Sequence, residues 1–152
     1  MEKEIVNGSL SAELQELFNE ARLAKYKAYC PYSHFRAGTA LLTSTGKIYS
    51  GCNIENASYP LSTCAERTVV VKAVSEGEKS FQKIVITSDV EIGFIGPCGS
   101  CRQTLAEFGL DLDVYLINIK NESKMYKLRD LLPVAFIPHD LEKSRANHYV
   151  IE

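Results

Sequence analysis

A short run of β-branched apolar residues, Ile84-Val85-Ile86, lies between two stretches that both read as helices and both open on a cysteine. Such a run is what a strand buried on both faces of a sheet requires. Upstream, Thr63 to Ser75 keeps helical spacing through Cys-Ala-Glu-Arg-Thr-Val-Val-Val-Lys-Ala-Val despite its β-branched residues, and Gly77 supplies a stop. Downstream, Gly96-Pro97 breaks the chain before a helix expected from about Cys98 to Phe108, closed by Gly109. The pattern puts Cys64 and Cys98 at two helix starts separated by one strand.

The rest of the chain continues the alternation. From Ser11 to about Ala28 the apolar residues Leu14, Leu17, Phe18, Ala21 and Ala24 fall three or four apart on one helical face, with Ser9 or Ser11 as the cap. The stretches Gly38 to Thr43 and Lys47 to Cys52 flank Ser44-Thr45-Gly46 and read as a hairpin. Phe81 to Ser88 and Val114 to Asn118 read as strands, Met125 to Lys127 as a fifth, and Leu128 to Leu132 as a short helix before Pro133. Helices alternating with β runs indicate an α/β sandwich whose sheet starts in a hairpin and continues through crossover connections. With 152 residues, 45% of them hydrophobic, the expectation is one domain spanning 1–152 with a core that needs no disulfide.

A formal charge of -2 and the lack of any Lys/Arg-rich block argue against a nucleic-acid partner. The first thirty residues show no apolar signal core, and no apolar stretch is long enough to span a bilayer, so the expected location is the cytoplasm and no membrane partner is expected. The Asn-x-Ser sequences at Asn7, Asn56 and Asn121 carry no weight in that setting. Five cysteines cannot pair completely within one chain, and in a reducing compartment metal binding or catalysis is the better first reading.

In Pro97-Cys98-Gly99-Ser100-Cys101 both sulfurs can point one way from the first turn of a helix, which suits two ligands of one metal. Helix N-termini favour thiolate over thiol, and Cys64 sits at such a start too. Three thiolates leave the fourth tetrahedral position of zinc open to water, the arrangement of a catalytic rather than a structural site. Bound zinc lowers the pKa of that water to about 7. Arg67, three residues after Cys64, is placed to donate to a thiolate and offset the sulfur charge, and Arg102 follows Cys101 directly. Glu66 lies displaced around the helix from Cys64, where a proton shuttle needs to be. Each element has a plainer alternative. Thr63-Cys64-Ala65-Glu66 is also a capping box. Cys98 and Cys101 could be a thioredoxin-like redox pair, or half of a closed zinc site completed by Cys30 or Cys52 in a non-catalytic binding module. Taken together, Cys-x-Glu at one helix start and Pro-Cys-x-x-Cys at another follow the known pattern of zinc nucleobase deaminases, which admits three cysteines.

Across most of its length the chain resembles the small, homotetrameric cytidine deaminases. The matching segments are Pro31-Tyr32-Ser33-His34-Phe35, Gly51 to Pro60, Thr63-Cys64-Ala65-Glu66-Arg67, Pro97 to Gln103 and Leu131 to Phe136. The resemblance implies a three-layer α/β/α sandwich with a mixed five-stranded sheet. It also implies one zinc ion per subunit on Cys64, Cys98 and Cys101, and hydrolytic deamination of free cytidine and deoxycytidine with Glu66 as the proton carrier. Asn53 and Glu55 would bind the ribose 3'-hydroxyl, Phe35 would pack on the base, and the Ala65 backbone would read the pyrimidine edge. Phe136 would reach into a neighbouring subunit's site. The residue types suit these tasks, since an amide beside a carboxylate can both donate to and accept from a hydroxyl. By composition alone, however, Phe35 and Phe136 read as core residues, and Asn53 and Glu55 as solvated polars. Deamination of cytosine within RNA or DNA, or of a cytosine-nucleoside antibiotic, uses the same zinc chemistry. The acidic chain and the Asn53/Glu55 pair argue against the first, and the Asn-x-Glu segment against the second. His34, His139 and His148 lack ligand spacing and read as surface or packing residues, while Cys30 and the tail after Phe136 depart from the family pattern.

Overall fold

The computed structural model describes residues 10–143 and the backbone of Lys3–Ile5. Helix α1 spans Ala12–Lys25 and is capped by Ser11, whose hydroxyl accepts from the Leu14 amide at 3.2 Å. It stops three residues short of Ala28 because the chain tightens into turns, with the Ala28 amide on the Lys25 carbonyl, before Tyr29 bridges to Ile54. The expected hairpin is β2 (Ala37–Thr43) and β3 (Ile48–Cys52), and Gly46 sits in its turn at φ 88°. Then follow α2 (Ala65–Ser75), β4 (Phe81–Ser88), α3 (Gly99–Ala106), β5 (Asp113–Ile117), β6 (Ser123–Lys127) and the short helices α4 (Leu128–Leu131) and α5 (Pro138–Glu142).

Strands β2 to β6 form the mixed sheet: β4 and β5 are parallel, and the other neighbours antiparallel. A short strand β1 (Lys3–Ile5), which no sequence pattern marks, pairs antiparallel with β6 and makes the order β1-β6-β5-β4-β2-β3. Three residues are too few to show alternation, and their partner lies at the far end of the chain. α5 also escapes the pattern; Pro138 starts it, and the Ile137 amide donates to Asp140 Oδ2 at 2.9 Å.

Alternation along the strands divides the core into two layers. Ala40, Leu42, Val85, Tyr115 and Ile117 face α1 and meet Leu14, Leu17, Phe18 and Ala21. Leu41, Ile84, Ile86, Val114 and Leu116 face the other way, against Val69, Val70 and Ala73 of α2 and Leu105 and Ala106 of α3. The result is the three-layer α/β/α sandwich. Two glycines let the helices lie close to the sheet: a Cβ on Gly38 would stand 2.8 Å from Lys25 Cα, and one on Gly51 would stand 2.9 Å from the Val69 nitrogen. Both clashes are with backbone, which cannot rotate away.

Gly38→Ala must therefore push α1 off the sheet, and the overpacking is expected to cost about 1–3 kcal/mol. Urea unfolding of the variant would show it as a lowered midpoint; an unchanged midpoint would contradict the close approach.

Candidate metal and active site

Cys64 is the residue before α2 and Cys98 the residue before α3. Both have extended backbones, and neither makes a side-chain capping bond, so both sulfurs are left to other partners. Cys101, on the first turn of α3, faces the same way as Cys98. The Cys64 and Cys98 sulfurs are 3.9 Å apart and those of Cys98 and Cys101 3.4 Å, with all three within 4.8 Å of one another. Sulfurs on one tetrahedral zinc at 2.3 Å stand roughly 3.8 Å apart, so the set fits that metal. Cys101 is buried, Cys64 half-buried and Cys98 exposed, so the cluster runs from the core to the surface.

Charge in the cluster is shared unevenly. The Cys64 thiol is lowered to about 5, chiefly by its hydrogen bond with Cys101 and then by Arg67 and Cys98. Cys101 is pushed far up by the same bond to Cys64 and by burial. Without a cation beside them, Cys64 holds a negative charge readily and Cys101 only with difficulty. A dication removes that penalty, which is the electrostatic reason such a cluster binds metal.

Glu66 is 6% exposed, and its carboxyl is raised by burial and by the neighbouring Cys64 charge. It stands outside the three-sulfur set. The capping-box alternative is not realised: the cap is Cys64 rather than Thr63, which moves Glu66 to the second helical position. Arg67 Nη2 donates to Cys64 Sγ at 3.5 Å and to the Ser62 carbonyl at 3.3 Å, so the guanidinium does offset sulfur charge, while its buried Nε has no partner. Arg102 does not share that task. Its Nε donates to the Pro97 carbonyl at 2.8 Å and its Nη1 to the Leu131 carbonyl at 2.7 Å, tying α3 to α4. Neither Cys30 nor Cys52 joins the sulfur group among the described residues, and Cys52 Sγ donates instead to the Lys27 carbonyl at 3.4 Å.

The expected substrate residues make contacts the sequence did not reveal, and Ile54, between Asn53 and Glu55, bridges to Thr63 next to Cys64. Asn53 Oδ1 accepts from the Ala37 amide at 2.8 Å and its Nδ2 donates to the Phe35 carbonyl at 2.7 Å. Glu55 Oε1 accepts from the Tyr32 and Ser33 amides, each at 3.1 Å. Both side chains therefore grip the loop that carries Phe35, which is itself 39% exposed rather than core. Ala65 is buried at the start of α2; its carbonyl accepts from Thr39 Oγ1 at 3.0 Å, which leaves its amide, among the helix's first, as the group able to address a ligand. Phe136 is 58% exposed, and its carbonyl is held by Gln103 Nε2 at 2.7 Å. Tyr32, Ser33, Glu55, Tyr59 and Ser62 line a cavity of about 220 Å³, with the two tyrosine rings 5.6 Å apart. Tyr59 and Ser62 stand inside or beside the matching segments without a role; a cavity wall assembled from two separate stretches of chain has no local signature. His34 and His139 lie at the surface, the latter against Glu142 at 3.2 Å, and His148 lies outside the described residues.

The family model for the cytidine and deoxycytidylate deaminase zinc-binding region matches residues 11–117. A probable cytidine deaminase of Dictyostelium discoideum is 50% identical over 129 residues, covering 85% of this chain and 87% of that protein. A cytidine deaminase of Sporosarcina psychrophila is 45% identical over 130 residues, covering 85% and 95%. Among solved structures, the cytidine deaminase of Burkholderia pseudomallei superposes with a TM-score of 0.78 at 42% identity, over 84% of this chain and 100% of that one.

The uneven charge predicts uneven reactivity. In chelator-treated protein at pH 7, iodoacetamide should modify Cys64 ahead of Cys101, since the thiolate is the nucleophile. Zinc should protect all three. Peptide mass spectrometry reads the order; Cys101 reacting first would contradict the assignment.

Proposed function

The chain belongs to the cytidine and deoxycytidylate deaminase zinc-binding family, and from that membership we infer that it hydrolyses free cytidine and deoxycytidine to uridine and deoxyuridine, releasing ammonia, as in pyrimidine salvage. The observation that carries this reading is the buried Glu66 carboxyl beside three converging cysteine sulfurs. Zinc on Cys64, Cys98 and Cys101 supplies a Lewis acid that brings the pKa of water to about 7.

Glu66 does the proton work. Its raised carboxyl is suited to accept a proton from the attacking water and deliver it to N3 of the pyrimidine as oxygen adds at C4. It then passes the second water proton to the 4-amino group, the C4–N bond breaks and ammonia leaves. Water and cytidine are consumed, and uridine and ammonia appear. Arg67 shields the sulfur charge that would otherwise weaken the metal's pull on water.

The remaining roles follow from the same reading. Phe35 offers the base a stacking face, the Ala65 amide meets the pyrimidine edge, and Asn53 and Glu55 take the ribose 3'-hydroxyl with the lone pairs and hydrogens left over from holding the Phe35 loop. The exposed Phe136 suits a ring that completes a neighbouring subunit's site in a homotetramer. Residues 1–152 act as one catalytic domain, and the cytoplasm is the proposed place of action; no helix among the described residues is long and apolar enough to cross a membrane.

Glu66→Ala should keep about one zinc per chain while cytidine turnover, followed by absorbance, falls roughly 10²- to 10⁴-fold. A chelator should abolish wild-type turnover, and a cytosine-containing oligonucleotide should remain unchanged. An active Glu66→Ala enzyme sinks the assignment.

A further inference from the structure

Asp89 directly follows β4 and opens the segment that runs to Cys98. Its carboxylate accepts a two-toothed fork from Arg36, Nε at 2.7 Å and Nη2 at 3.2 Å, and meets Lys25 Nζ at 3.0 Å. Lys25 ends α1 and is 5% exposed, a cation held inside the protein; its amine also donates to the Ser88 carbonyl at 3.3 Å. Both cations lie over the Tyr26 ring, Arg36 at 5.2 Å and Lys25 at 5.4 Å from its centre. Burial alone would raise the Asp89 carboxyl, yet the bonds from Arg36 and Lys25 hold it below the usual carboxylate range.

Ion pairs between partly exposed groups such as Arg36 and Asp89 add little to stability, so stability alone is a poor account of this cluster. Its place in the fold gives a better account. Arg36 is the chain neighbour of Phe35, and Asn53 already fixes the backbone on the other side, through the Phe35 carbonyl and the Ala37 amide. Cross-strand pairing of Ala37 with Ser88 sets Arg36 opposite Asp89. The segment bearing the base platform and the segment leading to Cys98 thus leave the sheet side by side, with one carboxylate joining them to the end of α1. A lateral slip of either segment would change the distance between a base stacked on Phe35 and the metal centre.

We propose that Asp89 is a positioning residue that, through its fork with Arg36, holds Phe35 at the right distance from the Cys98 segment. This rests on the reading of Phe35 as the surface that stacks on the base. Reaction geometry is sensitive to such placement: a displacement of about 1 Å can cost up to roughly 10²-fold.

The test is cytidine kinetics on zinc-loaded Phe35→Ala, Arg36→Gln and the double variant, with Asp89→Asn alongside. The Arg36 side chain is 41% exposed, and Arg36→Gln leaves the Lys25–Asp89 pair in place, so zinc content and unfolding temperature should hold. Phe35→Ala should raise KM roughly tenfold, in the range of an aromatic–base stack. Arg36→Gln and Asp89→Asn should each lower kcat about threefold or more with a smaller change in KM, and Arg36→Lys should recover part of the loss. In the Phe35→Ala background Arg36→Gln should add almost nothing, because the residue it positions is gone. A raised KM in Phe35→Ala with additive effects in the double, or with Arg36→Gln silent, overturns the positioning role alone. An unchanged KM in Phe35→Ala overturns the stacking reading and the positioning role with it.

Discussion

Three sulfur atoms within 4.8 Å of one another cannot all be thiolates unless a cation shares the space, and the organisation of this molecule follows from bringing them there. Two come from residues that cap helices without capping bonds, Cys64 before α2 and Cys98 before α3, so the helices must start side by side on one face of the sheet. β4 lies between them in sequence and in the middle of the sheet, and its buried residues Ile84 and Ile86 carry α2 and α3 on that face. Gly51 lets α2 settle close enough to β3 to set its first turn. Metal geometry is thus decided by how closely helices can pack on a sheet.

The surroundings of the sulfurs separate two kinds of charge. Arg67 donates to Cys64 and lowers the cost of ionised sulfur, whereas Glu66, buried beside the same cluster, is pushed towards keeping its proton. Adjacent positions on one helical turn therefore serve opposite ends, one steadying negative charge and the other holding a proton ready for transfer. Their roles differ because α2 begins at Cys64: starting at Thr63 would have made Glu66 a backbone cap with no proton to spare for chemistry.

What was legible in the sequence is what local spacing controls. Ser11 as a cap, the Ser44-Thr45-Gly46 hairpin, β4 over Phe81–Ser88 and the helix starts at Cys64 and Cys98 all depend on residues a few positions apart. The cysteines, Glu66 and Arg67 were visible for the same reason. What stayed hidden depends on partners distant in the chain. Arg102 looked like a second shield for the sulfurs, yet it reaches the Leu131 carbonyl instead. Asn53 and Glu55 were picked out for a sugar hydroxyl, and nothing local disclosed that they also hold the Phe35 loop. β1 exists only through its register with β6.

Zinc held by Cys64, Cys98 and Cys101 would have three sulfur ligands and one position left for water. X-ray absorption at the zinc edge of the loaded protein measures that shell directly. Three sulfurs at about 2.3 Å and one lighter oxygen or nitrogen scatterer near 2.0 Å are expected. A shell of four sulfurs would mean a closed structural site with no place for water, and would contradict three-sulfur coordination.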